Sequence, residues 1–291
     1  MSDNTAIEWT DATWNPITGC SVISPGCTNC YAMKLAGTRL RHHESRAGLT
    51  RDTKAGPVWT GETRLNKQWL TQPLRWKRPR RIFVCAHGDL FHESVPDEWI
   101  DRVFAVMGLA PQHTFQVLTK RSKRMREYVT KLEAEPFAHT LRRMAEAWPH
   151  PISQDMIVNG PNVWLGVSVE DQQRADERIP DLLATPAAIR FLSCEPLLGP
   201  VDLGKVYASR DEHGTYLHDA PVCALDWVIV GGESGHGARP MEVRWASDIV
   251  HQCRSTGVPV FVKQLGSAVH GKAHKEFDAF PADLRVREFP A

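Results

Sequence analysis

The chain has 291 residues, 42% of them hydrophobic and 24% charged, and a formal net charge of +1. That composition suits a globular protein with a sizeable core and excludes a disordered or collagen-like chain. No apolar stretch approaches the ~18–20 residues that span a bilayer, and residues 1–5 show no basic patch leading into an apolar run, so a cytoplasmic protein with no membrane contact is expected.

Residues 13–18 supply a candidate first strand, and 41–75 follow as a long insertion. Residues 81–85 read as a buried strand. A helix starting at Pro96-Asp97 follows, with Ile100, Val103, Phe104 and Met107 on one apolar face at helical spacing. Residues 114–119 are the next strand, and 120–132 a charged helix behind it. A second insertion over 134–161 leads to a strand at 162–169, a helix at 171–184 and a strand at 189–194. A third insertion, 199–225, precedes a strand at 227–232, a helix at 243–256 and a closing strand at 258–263.

Near-continuous apolar runs separated by helices mark a parallel sheet covered on both faces. The pattern predicts an α/β fold, a complete or partial (β/α) TIM-like barrel with insertions. It forms one domain over residues 1–291, with a cluster loop at 15–32 and a C-terminal extension at 268–291. Polar residues stand at the C-terminal strand ends: His87 and Asp89; Thr119, Lys120 and Arg121; Ser168 and Glu170; Ser193 and Glu195; Glu233 and Ser234; Lys263 and Gln264. Barrels and doubly wound sheets build their sites from these ends.

The near-zero charge hides an asymmetry. Residues 1–150 carry 22 Lys+Arg against 15 Asp+Glu, and residues 151–291 carry 13 against 19. The basic excess peaks at 75–81, with Trp76 the best-placed ring for stacking on a base, and at 120–124. Such clusters bind phosphates or simply face water.

Three of the seven cysteines, Cys20, Cys27 and Cys30, fall within eleven residues, around the loop former Pro25-Gly26. Thiolates at this spacing suit zinc or an iron–sulfur centre. Zinc would need a fourth ligand, for which His42, His43 or Cys85 are candidates; three thiolates on a four-iron cluster would leave one iron open. Cys85, Cys194, Cys223 and Cys253 read as small buried hydrophobes, and His42-His43 as a solvated helix end.

Asn15-Pro16-Ile17-Thr18-Gly19-Cys20 followed by Gly26-Cys27-Thr28-Asn29-Cys30-Tyr31-Ala32 resembles the cluster loop of the radical S-adenosylmethionine (SAM) superfamily, closest to its spore-photoproduct-lyase-like branch. The first gap is three residues longer than the usual Cys-x3-Cys-x2-Cys, and Asn29 stands where an aromatic residue is usual. The segments 193–200, 226–235 and 261–266 make the wider chain similar to a phage-associated, radical-SAM-like family of unassigned function.

The resemblance implies that Cys20, Cys27 and Cys30 hold a [4Fe–4S] cluster and that SAM chelates its open iron. The reduced cluster would cleave SAM, and the resulting radical would abstract hydrogen from a nucleic-acid base or nucleotide, as in isomerising a thymine adduct or repairing a lesion in phage DNA. Asp89 stands where the superfamily binds the SAM amino group; Ser168, Glu170, Gly231, Gly232 and Glu233 are further strand-end candidates for SAM, Lys120, Glu195 and Lys263 are candidates for catalysis, and Arg78, Arg80, Arg81, Arg121 and Gln264 are candidates for nucleic acid or substrate. A reductase or flavodoxin-type donor would supply electrons, and a phage or prophage gene in a bacterial host is implied. The rival expectations are a zinc- or cluster-stapled nucleic-acid-binding protein without catalysis, and an enzyme acting on a free small molecule.

Overall fold

The computed structural model describes residues 5–135, 139, 159–205, 207–211, 214–217, 221–271 and 275–291. The chain divides into two compact units, Met1–Leu165 with Thr185–Ala188, and Gly166–Ala184 with Ile189–Ala291. The fold is mixed α/β. Its main sheet has seven strands: β1 (Ala12–Trp14), β2 (Arg81–Val84), β3 (Thr114–Thr119), β4 (Val163–Ser168), β5 (Ile189–Cys194), β6 (Trp227–Gly231) and β7 (Val260–Gln264). They lie in the sheet in chain order, and β4 gives its first half to one unit and its second half to the other.

In the first unit β1 pairs with β2 and β2 with β3, both parallel, with Trp14 opposite Val84 and Val84 opposite Val117. β1 and β2 therefore end together and β3 runs two residues further, so the segments leaving Trp14, Val84 and Thr119 emerge at the same end of the sheet. α2 (Asp97–Gly108) follows β2 and α3 (Ser122–Ala134) follows β3. Ile100, Val103, Phe104 and Met107 on α2 are fully buried, as their spacing predicts, while Asp97 and Glu98 in its first turn complement the helix dipole. Trp14 is also fully buried and its Nε1–H donates to the Trp69 carbonyl at 2.8 Å. That bond lets the indole add ~1.5–3 kcal/mol of apolar burial without an orphaned donor.

The strand expected over 13–18 is split. Only Ala12–Trp14 joins the main sheet, and Ile17–Thr18 pairs instead with Arg64–Leu65. Pro16 between them has no N–H to give a ladder. The insertion at 41–75 is ordered by this ribbon and by a second one, Thr50–Thr53 with Gly56–Trp59. The insertion expected at 134–161 lies largely outside the described residues. Within 199–225, Tyr207–Asp211 pairs with Gly214–Leu217.

In the second unit β5 pairs with β6 and β6 with β7, again parallel. α4 (Gln172–Leu183) follows β4, and α5 (Val243–Thr256) follows β6. Asp171 caps α4 by accepting from the Arg174 N–H at 2.9 Å, a contact worth ~1 kcal/mol. Gly257, at φ +74°, ends α5 where only glycine enters the left-handed region without cost. Among the described residues no helix is long and apolar enough to cross a membrane.

Candidate functional site

The cysteine loop leaves β1 and is held against the exit of β2 by two glycines. Gly19 N–H donates to the His87 carbonyl at 3.2 Å, at φ +96° and with the Glu62 carbonyl 2.2 Å from where a Cβ would stand. Opposite it, a Cβ on Gly88 would stand 2.9 Å from the Ile17 carbonyl. Only glycine allows these backbones to meet so closely. Beyond Cys20 the chain makes a single 3-10 turn, Pro25–Cys27, and Cys30 then caps α1 (Tyr31–Gly37). The Cys-x2-Cys pair thus occupies two successive turns: Cys27 N–H donates to Ser24 O at 3.0 Å and Cys30 N–H to Cys27 O at 3.2 Å.

All three thiols are free. Cys20 and Cys30 pack against the cluster of Ala32, Met33, Ala36, Leu49 and Trp59. Burial pushes the Cys20 thiol up to about 12, helped by Asp89 and by Cys27 and Cys30, with Arg121 pulling the other way. Burial also raises Cys30, with Cys27 adding to the rise, while the N–H groups of Met33 and Ala32 and the Lys120 ammonium oppose it. The three sulfurs therefore lie within electrostatic reach of one another, and two cations face them. A metal centre taking these thiols would displace their protons.

Among the described residues no three His, Cys, Asp or Glu side chains form a ready ligand group for a single ion, so neither the three thiols by themselves nor the thiols with His42, His43 or Cys85 make up such a group. Both histidines are exposed and lie in turns, not at a helix end; His43 Nδ1 bonds Ser45 Oγ at 2.7 Å. Cys85 is buried in a left-handed turn at φ +57°. A cluster takes its thiolates on separate irons and needs no convergence on one point. The donor set fits that chemistry: soft ligands, undisulfided, on one loop, with cations beside them.

Asp89 and Arg121 bind this loop to the ends of β2 and β3. Asp89 is 5% exposed. Its Oδ1 accepts from Thr119 Oγ1 at 2.7 Å and the Phe91 N–H at 3.0 Å; its Oδ2 accepts from the Lys120 N–H and Arg121 Nη1, both at 3.2 Å. A carboxylate has about four lone-pair sites, so four donors saturate it. Asp89, expected at the SAM amine, anchors Arg121. The buried Arg121 guanidinium spreads its donors over Cys20 Sγ at 3.3 Å, Ser21 Oγ at 2.6 Å and Glu93 Oε1 at 3.2 Å. His92 Nε2 meets the same Ser21 hydroxyl at 3.0 Å. Ser21, His92 and Glu93 had no mark in the sequence beyond lying near expected site residues.

The second unit gathers its own strand-end residues. Glu195 Oε1 accepts from Lys263 Nζ at 2.7 Å and from Gln264 Nε2 at 2.9 Å. Gly231 lies beside them, with Glu195 Oε1 3.2 Å from where its Cβ would be, and Gly232 lets its strand end pass Gly266. Two of the residues expected at SAM have other occupations. Glu170, fully buried, is paired with Arg178 Nη1 at 3.0 Å, the same atom reaching the Ser168 carbonyl at 2.7 Å. Glu233 takes a fork from Arg239, Nε to Oε2 at 3.0 Å and Nη2 to Oε1 at 2.6 Å. Neither arginine stood out in the sequence.

The basic runs are absorbed by the fold only in part, with Arg75, Lys77, Arg78 and Lys123 left exposed. Trp76, expected as a stacking platform, is buried, with the Arg80 guanidinium 4.9 Å from its ring centre and His113 edge-on at 6.1 Å. Arg81 is held by Asp11, Nη2 to Oδ1 at 3.2 Å. Arg78 is exposed. In the second run Arg124 binds the carbonyls of His92 and Val95 and pairs with Asp97. Cys194 and Cys253 are buried as expected, whereas Cys223 is exposed.

No curated protein and no solved structure matches the chain. A family model described as "Protein of unknown function (DUF5131)" matches residues 4–284. That span takes in the cysteine loop and every strand of the sheet, and the chain belongs to the DUF5131 family.

Proposed function

We propose that this chain is a radical SAM enzyme acting on a nucleic-acid base or nucleotide, with its seven-stranded sheet forming a partial β/α barrel. The observation that carries the reading is the trio of free thiols on the loop after β1, with Arg121 and Lys120 beside them at the end of β3. Cys20, Cys27 and Cys30 would hold a [4Fe–4S] cluster, and the chemistry that group would supply is reductive cleavage of SAM to a radical able to take hydrogen from an unactivated C–H bond.

The chain's own groups prepare that site. Arg121 and Lys120 offset the charge of the thiolates, and Asp89 holds Arg121 through its Nη1. Ser21, gripped by Arg121 and His92, holds the loop next to Cys20. The packing of Cys20 and Cys30 on Met33, Leu49 and Trp59 keeps water from one side of the sulfurs.

The reading is tested by anaerobic purification followed by iron and sulfide analysis. It predicts about four of each per chain, and a colourless zinc protein contradicts it. Deuterium transfer into 5′-deoxyadenosine from labelled nucleotides or DNA identifies the substrate; transfer only from an unrelated small molecule contradicts the nucleic-acid assignment.

A further inference from the structure

The strand ends of the second unit hold a hydrogen-bonding cluster with capacity to spare. β7 carries a bulge: Val262 pairs with Val230 and Gln264 with Gly231, so Lys263 is the extra residue. In a regular strand consecutive side chains point to opposite faces, and a bulge re-aims them. Here Lys263 and Gln264, neighbours in sequence, both reach Oε1 of Glu195.

The orientation of Gln264 is fixed by chemistry, because a flipped amide would set its oxygen against the carboxylate. Gln264 is 2% exposed, and its Oε1 has no hydrogen-bond partner among the described residues. A buried acceptor left in this state is costly until a donor arrives. Both donors to Glu195 go to Oε1, which leaves Oε2 open, and Lys263 spends one of its three N–H bonds on this contact. The Lys263 and Glu195 side chains are 15% and 17% exposed, so the ion pair reaches solvent while Gln264 beside it is buried.

We propose that Glu195, Lys263 and Gln264 form a recognition site for a planar edge carrying two adjacent N–H donors beside a carbonyl, the edge that guanine presents. The two N–H groups donate to Gln264 Oε1 and Glu195 Oε2, and the carbonyl accepts from Lys263 Nζ. The Lys–Glu pair is neutral in sum, which suits an uncharged base. Uracil and thymine offer a single N–H on that edge and would leave one acceptor orphaned. The proposal rests on the nucleotide substrate class above but not on the cluster.

Titration calorimetry of the full chain, with no iron or SAM added, tests it with guanosine, inosine and uridine 5′-monophosphates, whose shared ribose phosphate cancels. The guanosine nucleotide binds about tenfold or more tighter than the uridine nucleotide, and inosine, which lacks the exocyclic amine, falls between. Gln264→Met and Lys263→Met each weaken guanosine nucleotide binding by about tenfold, and Lys263→Met, at the partly exposed position, carries the test should the buried substitution unfold the chain. Equal affinity for all three nucleotides, no binding of any, or unchanged guanosine nucleotide binding in a folded variant overturns the proposal. A protein that cleaves SAM yet fails these titrations loses the guanine site alone; one that passes them but retains no iron on anaerobic purification keeps it and loses the cluster reading.

Discussion

The two strand-end clusters use charge in opposite ways. In the first unit the ionic groups saturate one another: Asp89 accepts four donors, and Arg121 distributes its own over a thiol, a hydroxyl and a carboxylate. What remains for a ligand there is the sulfur. In the second unit Glu195, Lys263 and Gln264 make two contacts and leave acceptors over. One cluster pairs its ionic groups beside the thiols, and the other leaves acceptors without donors among the described residues.

The largest expected effect separates the two functions. Cys27→Ala removes one of three thiols and is expected to abolish iron retention on anaerobic purification, with guanosine nucleotide binding unchanged. Iron at wild-type levels in this variant would show that the iron is not held by the thiol loop.

The next effect compares the two ion pairs. Arg121→Met leaves the Asp89 carboxylate buried without its cation and should cost ~3–5 kcal/mol of folding stability. Lys263→Met strips Glu195, whose side chain is 17% exposed, and should cost ~1 kcal/mol or less. Urea midpoints for the two variants measure both; equal losses would erase the distinction between a saturated and an open cluster.

An acid response follows from the same unit. Burial, with the Arg46 charge, holds His87 at about 4 against an ordinary 6.5. Between those values the unfolded chain binds the proton and the folded chain does not. Stability therefore falls as pH drops from 6.5 toward 4, by up to ~3 kcal/mol for this group. His92 and His113, also lowered chiefly by burial, act in the same direction. Urea midpoints against pH should show a shallower slope in His87→Asn; an unchanged slope would place the acid sensitivity elsewhere. The smallest effect is at Thr119→Val, which removes one donor to Asp89 and should cost ~1 kcal/mol, measured by the same titration.

Much of the fold was legible in the sequence because apolar runs and helical spacing are local signals. The strand at 114–119, the strand at 189–194 and the helix at 243–256 lie where the pattern sets them. The first strand was misread because its apolar pattern runs through Pro16, which ends the ladder. The thiol loop was visible from spacing alone. The roles of its neighbours were not, since Arg121 sits in a run of cations that reads equally as a phosphate site or a solvated face. Only the fold brings Asp89, thirty-two residues away, to Arg121. The bulge at Lys263 has no sequence mark either, as it arises from the pairing of β7 with β6. Trp76 illustrates the converse: a ring in a basic run suggested stacking, and the run's own Arg80 covers it.

The central claim is that the thiol loop supports reductive cleavage of SAM. The direct measurement is 5′-deoxyadenosine formed when the anaerobically reconstituted full chain is given SAM and a strong reductant. The account predicts 5′-deoxyadenosine from the wild-type chain and none from Cys27→Ala; an iron-loaded wild-type chain that leaves SAM intact would contradict it.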